Sequence, residues 1–183
     1  FASSARADTI RFTAKESGDF TSTFKNIPTG TRAFLEGPFG SFTPEPDSNL
    51  FLVMGGIGIT PAMSMLRTMR ADQDKRKAIL LYASMNWNDV TFREELTDLT
   101  KEIDLQVIHV IEEAPEDEHL LENIKGEEGR IDEEMLKKYL PDKPNEYMYF
   151  ICGPGPLMDV AEIGLHNLGI NWRRIYSERF EIV

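Results

Sequence analysis

Apolar and polar positions follow two regimes along the chain. Over residues 9–14 and 31–36 they alternate with the period of two expected of half-buried strands, and residues 19–26 between them suit a short helix. A turn at Gly37-Pro38-Phe39-Gly40 closes this first portion, residues 1–42. Residues 43–49 carry two prolines and little apolar character, so they read as a linker. From Leu50 to the end, residues 50–183, short near-continuous apolar runs predict strands at 50–54, 78–83, 105–111, 147–152 and 174–176. Amphipathic stretches between them predict helices at 61–70, 90–101, 132–139 and 156–168. Strands without polar alternation, separated by helices, imply an α/β fold: a doubly wound five-stranded parallel sheet covered on both faces. A strand order of 3-2-1-4-5 would set the first and fourth strands side by side, where such sheets bind ligands.

Composition narrows the field of functions. The 183 residues hold 20 basic and 31 acidic side chains, a formal charge of −11, and 41% are hydrophobic, enough for a core. So acidic a surface repels phosphate backbones, and Lys75-Arg76-Lys77 is too short a basic run to offset it, which argues against a nucleic-acid partner. The single cysteine, Cys152, excludes an intrachain disulfide, a four-cysteine iron–sulfur cluster and a cysteine-based zinc site, and fits a reducing compartment. His109, His119 and His166 lack metal-ligand spacing and read as structural or solvated, so no metal is expected. No apolar run approaches the ~20 residues of a membrane-spanning helix. The chain opens on Phe1 without Met or a signal-peptide pattern, which reads as the interior of something longer.

Two glycine-rich loops carry the candidate chemistry. Gly55-Gly56-Ile57-Gly58-Ile59-Thr60-Pro61 follows the first apolar strand and precedes an amphipathic helix. Glycines let backbone N–H groups approach a diphosphate, Thr60 can cap the helix, and Pro61 suits its first turn. The usual dinucleotide fingerprint is not met, because Pro61 replaces its third glycine, and a plain strand-to-helix turn is the competing reading. Cys152-Gly153-Pro154-Gly155-Pro156 follows the fourth strand, and the predicted strand order would bring it to the same crevice. Cys152 itself reads either as a small buried hydrophobe or as a group at the site.

Taken together and in order, these segments resemble the ferredoxin–NADP reductase superfamily of flavin-dependent NAD(P)H reductases, over essentially the whole chain. Gly18-Asp19-Phe20-Thr21 is similar to the family's flavin-diphosphate segment, and Gly37-Pro38-Phe39-Gly40 to the turn that ends its flavin barrel. Gly55 to Pro61 resembles the nicotinamide-nucleotide diphosphate loop, with Gly55, Gly56, Gly58, Ile59, Thr60 and Pro61 as binding residues. Cys152-Gly153-Pro154 resembles the loop beside the nicotinamide, and Glu178-Arg179-Phe180 the terminal element beside the flavin. Ser84, after the second strand, joins the cofactor-binding set by the same resemblance.

The resemblance implies hydride transfer from nicotinamide C4 to flavin N5, with the two rings held roughly 3 to 3.5 Å apart, and onward release of single electrons by FAD. Cys152 and Glu178 would arrange the nicotinamide, and Phe180 would cover the flavin. Members that use NADH carry an acidic residue after the third strand, and Glu112 of Val110-Ile111-Glu112-Glu113 stands there, favouring NADH over NADPH. A merely solvated acidic loop at 112–118 is the alternative. The N-terminal portion departs from the family. Phe1-Ala2-Ser3-Ser4 resembles the stretch just after the flavin-binding Arg-x-Tyr-Ser-like motif, so Ser3 and Ser4 are present without its aromatic and basic residues. Residues 1–42 would then be an incomplete antiparallel barrel remnant that retains little FAD. The acceptor of single electrons, a haem, iron or iron–sulfur protein, is not encoded here. Preceding sequence could hold more barrel or a haem-bearing membrane domain, as in ferric-reductase-like relatives, and the resemblance then implies a cytoplasmic face for an NADH-consuming domain. A non-catalytic nucleotide-binding or electron-transfer interaction module on the same fold is the second reading.

Overall fold

The computed structural model describes the chain except residues 17, 38, 114, 116–118, 125 and 180–183. Strands β1 (Asn49–Gly55), β2 (Ala78–Ser84), β3 (Leu105–Ile111), β4 (Glu127–Glu128), β5 (Tyr147–Gly153) and β6 (Ile175–Arg179) form one sheet. Its order is β4-β3-β2-β1-β5-β6, and all neighbours are parallel. The five expected strands thus lie in the expected order, and the sheet gains a sixth at one edge. That addition corrects the five-stranded expectation: β4 is two glutamates paired to Val110 and Ile111, with no apolar run to announce it.

Helices α2 (Ile59–Ala71) and α3 (Arg93–Glu102) cover one face, while α5 (Glu133–Tyr139) and α6 (Gly155–Asn167) cover the other. Alternate residues of β1 divide between the faces. Leu50, Leu52 and Met54 pack with Ile59, Met63 and Leu66 of α2; Phe51 and Val53 pack with Leu136 of α5 and Met158, Ala161 and Leu165 of α6. Burial on both sides explains why β1 and β5 show no polar alternation. The short helices α1 (Asp19–Ser22) and α4 (Leu120–Ile124) bury no residue.

Before β1 the expectation fails in one respect. Residues 9–14 and 31–36 form no strand, and no β-barrel strand occurs among the described residues of 1–42. A strand exists only with a ladder partner, and here the alternating apolar side chains stay in solvent: Phe12 is 64% and Phe34 89% exposed. The segment is anchored at its start instead. Ala2 is buried, the Ser64 hydroxyl of α2 donates to Ser3 O at 2.7 Å, and Arg6 makes a two-pronged pair with Asp72.

Candidate dinucleotide site

Both glycine loops stand at the same end of the sheet, because β1 and β5 are adjacent and parallel with Met54 beside Cys152. They touch backbone on backbone, with the Leu157 side chain packed beside the crossing. A Cβ at Gly58 would fall 2.3 Å from Cys152 O, and one at Gly153 would fall 3.0 Å from Gly55 N. Glycine is therefore required where the two turns cross. At Gly56 the reason differs: φ is +50°, and an added Cβ would meet nothing within 4 Å, so the loop presents open backbone there. Such a loop, leading into a helix, fits an anionic diphosphate.

The helix begins earlier than expected. Gly58 is the N-cap of α2, and Ile59, Thr60 and Pro61 are its first three residues. Thr60 is therefore not the cap but a buried residue inside the first turn. Pro61 still costs nothing, because none of the first N–H groups has an intrahelical acceptor.

Cys152 and Glu178 meet as register partners of β5 and β6. Cys152 is wholly buried, and burial first, then the Glu178 carboxylate, pushes its thiol up to about 12. The positive Phe1 amino group acts in the opposite sense. The thiol stays neutral and is a weak donor, not a nucleophile. Glu178 is exposed and lines a cleft with Phe39, Phe42, Trp172 and Tyr176. Phe180 lies outside the described residues.

The remaining candidates divide by position. Glu112 N–H donates to Ser84 O at 3.1 Å, which joins the ends of β2 and β3. Ser84 Oγ is buried without a hydrogen-bond partner. The Glu112 carboxylate pairs with Arg130, whose guanidinium hydrogen bond holds that carboxyl below its usual range. Arg130 gives no sequence signal, since its nearness to Glu112 depends on the short β4 that precedes it. Ser4 Oγ bonds Thr68 of α2. Gly18 and Thr21 bond each other across the first turn of α1, the Thr21 hydroxyl donating to Gly18 O at 3.3 Å. Gly153 and Pro154 lead into α6, with Pro154 as its N-cap. Among the described residues, no group of three or more His, Cys, Asp or Glu side chains could hold a metal ion. No helix among them is long and apolar enough to cross a membrane.

Comparison with known proteins bears on this geometry. The model of the oxidoreductase NAD-binding domain family matches residues 52–162. NADH-cytochrome b5 reductase 1 of Lodderomyces elongisporus is 32% identical over 162 residues, covering 85% of this chain and 52% of that protein. The flavohemoprotein of Bacillus thuringiensis is 29% identical over 157 residues, covering 85% of this chain and 39% of its own length. The chain thus spans about half or less of these curated relatives. Among solved structures, the flavohemoglobin of Malassezia yamatoensis with bound FAD and heme superposes with a TM-score of 0.72 at 25% identity, over 93% of this chain and 43% of that one. The cytochrome b5 reductase domain of Ulva prolifera nitrate reductase shares the fold, with a TM-score of 0.74 at 20% identity, over 89% of this chain and 65% of that one.

Proposed function

We propose, from the premise that this chain belongs to the oxidoreductase NAD-binding domain family, that it is the nicotinamide-nucleotide-binding part of an NADH-dependent flavoprotein reductase. The observation that carries this reading is the backbone contact between the Gly55–Gly58 loop and the Cys152–Gly153 loop. Two stretches of backbone thereby meet at one end of the sheet, with Gly56 and Gly153 half-buried there, an arrangement that suits a diphosphate with a planar ring beyond it. Gly55, Gly56 and Gly58, with the first turn of α2, hold the diphosphate. Cys152, Gly153, Pro154 and Glu178 flank the nicotinamide, and Ser84 and Glu112 take the adenosine ribose.

FAD, where bound, would convert the two-electron donor into a source of single electrons for a haem or iron acceptor. The described residues of 1–42 give FAD no closed barrel, so this chain alone holds it weakly, and Ser3, Ser4, Gly18, Thr21 and Phe180 contribute only in a completed flavin site.

The preference for NADH is a matter of charge. Glu112 can accept from a ribose diol and repels a 2′-phosphate, but Arg130 offsets part of that repulsion. We therefore expect a modest preference, about tenfold. Calorimetric titration of this chain should show NADH binding more tightly than NADPH, and Glu112→Gln should narrow the gap. Equal affinities in the unaltered chain would overturn the preference, and binding of neither nucleotide would overturn the reading.

A further inference from the structure

Tyr82 is fully buried near the C-terminal end of β2. Leu80 and Leu81 beside it meet the needs of packing with aliphatic side chains, whereas a buried phenol also needs hydrogen-bond partners. Tyr82 has three such contacts. Its hydroxyl donates to Gly56 O at 3.3 Å, lies 2.9 Å from Thr91 Oγ1, and accepts Thr91 N–H at 3.3 Å. A phenol has one proton. With that proton on Gly56 O, both bonds from Thr91 run toward Tyr82, so the order is Thr91 to Tyr82 to Gly56.

Each end of this relay meets a residue at positive φ, free of cost at the glycine and strained at the other end. Gly56 stands at φ +50°, and its carbonyl is otherwise held by the Ile59 N–H. Thr91 precedes Phe92, a bulky residue at φ +60° that forms the N-cap of α3. One hydroxyl therefore joins the glycine loop after β1 to the strained entry into α3.

We propose that Tyr82 is a positioning residue for the dinucleotide loop, acting through the Gly56 carbonyl and braced by Thr91. The peptide is planar, so fixing the Gly56 carbonyl also fixes the direction of the Ile57 N–H on the same peptide. That N–H belongs to the first turn after β1, where backbone donors face an anionic ligand. The inference rests on the nicotinamide-nucleotide reading for its ligand, though the relay itself exists without one.

Tyr82→Phe keeps the ring and removes the relay. In calorimetric titration it should weaken NADH binding about tenfold, the ratio that one neutral hydrogen bond commands. Thr91→Val should weaken binding about threefold, because Tyr82 still reaches Gly56. The double variant should match Tyr82→Phe rather than multiply the two losses. In the ligand-free chain, amide exchange at Ile57, Gly58 and Ile59 should accelerate in Tyr82→Phe while the central strands keep their protection. Unchanged NADH affinity in Tyr82→Phe, or acceleration spread evenly over the sheet, would overturn the proposal. An unaltered chain that binds no NADH would overturn the nucleotide reading alone, and exchange at residues 57–59 would still decide whether the relay shapes the loop.

Discussion

His109 sits on β3 with 6% of its surface exposed, the Trp87 ring edge-on at 5.2 Å, and a buried Nδ1 that has no hydrogen-bond partner. Burial, and secondarily the Arg93 charge, lowers its pKa from 6.5 to about 4. Below pH 6.5 the unfolded chain binds a proton here that the folded chain refuses until about pH 4, so stability is complete above the upper value and falls as pH drops through the window. The loss amounts to about 3 kcal/mol at most. Glu95 and Asp74, both held low by arginine partners, lose their contribution only as pH falls below their ordinary values of 4.5 and 3.8. Urea midpoints should therefore decline between pH 6.5 and 4, and His109→Phe, which keeps a ring against Trp87, should remove most of that decline. An identical decline in the variant would show that another group is responsible. The sequence alone marks His109 as structural or solvated rather than a ligand, and Glu112 as the residue after β3. It does not single out Tyr82, because the partner Gly56 stands 26 residues away and a phenol inside an apolar run looks like any other core ring.

The elements show a similar divide between what is local and what must be supplied by a neighbour. β1, β2, β3 and β5 are near-continuous apolar runs whose ends the sequence places to within a residue or so, since burial on both faces writes itself into composition. Helix α3, expected from 90, begins at Arg93 because Phe92 turns left-handed before it. That kink is braced from outside by Arg67 of α2, whose guanidinium lies 5.1 Å from the Phe92 ring centroid. Arg67 also grips Glu95 with two bonds, at 2.7 and 2.5 Å, and donates to Ala2 O. One side chain thus links α2, α3 and the N-terminal segment, with only 12% of its own surface exposed. Arg67→Ala should cost about 2 kcal/mol, since it leaves a partly buried Glu95 with only the more distant Arg70, at 4.0 Å, and frees the Phe92 ring. Arg67→Lys should restore less than half of that, because an ammonium cannot reproduce the planar fork. Chemical denaturation of both variants measures this. A lysine variant as stable as the unaltered chain would mean that charge alone, not the fork, joins the helices.

Across the whole molecule, the distribution of phenylalanines separates a packed body from an open arm. Phe51 and Phe150 are fully buried in the sheet, whereas Phe12, Phe20, Phe34 and Phe39 are 64%, 76%, 89% and 83% exposed. Alternation in residues 9–14 and 31–36 does mark real apolar positions, yet a half-buried pattern becomes a strand only when something covers its apolar side and pairs its backbone. The parallel sheet meets that condition by itself, since its covering helices α2, α3, α5 and α6 are all present in the same stretch of chain. Local opening should therefore cost little across residues 12–40, between the anchored start and Phe42 on the core, and approach the full unfolding free energy within β1 and β5. Brief chymotrypsin treatment of the native chain should cut first at Phe12, Phe20, Phe34 and Phe39, and leave a resistant product that begins between Phe39 and β1. Saturating NADH should slow the later decay of that product, since a ligand bound to the sheet's crevice stabilises only the folded body, and should leave the early cuts unchanged. Protection of Phe34 by NADH would mean that the arm closes over the nucleotide site, and cleavage at Phe51 as early as at Phe34 would show that the sheet is not the stable unit.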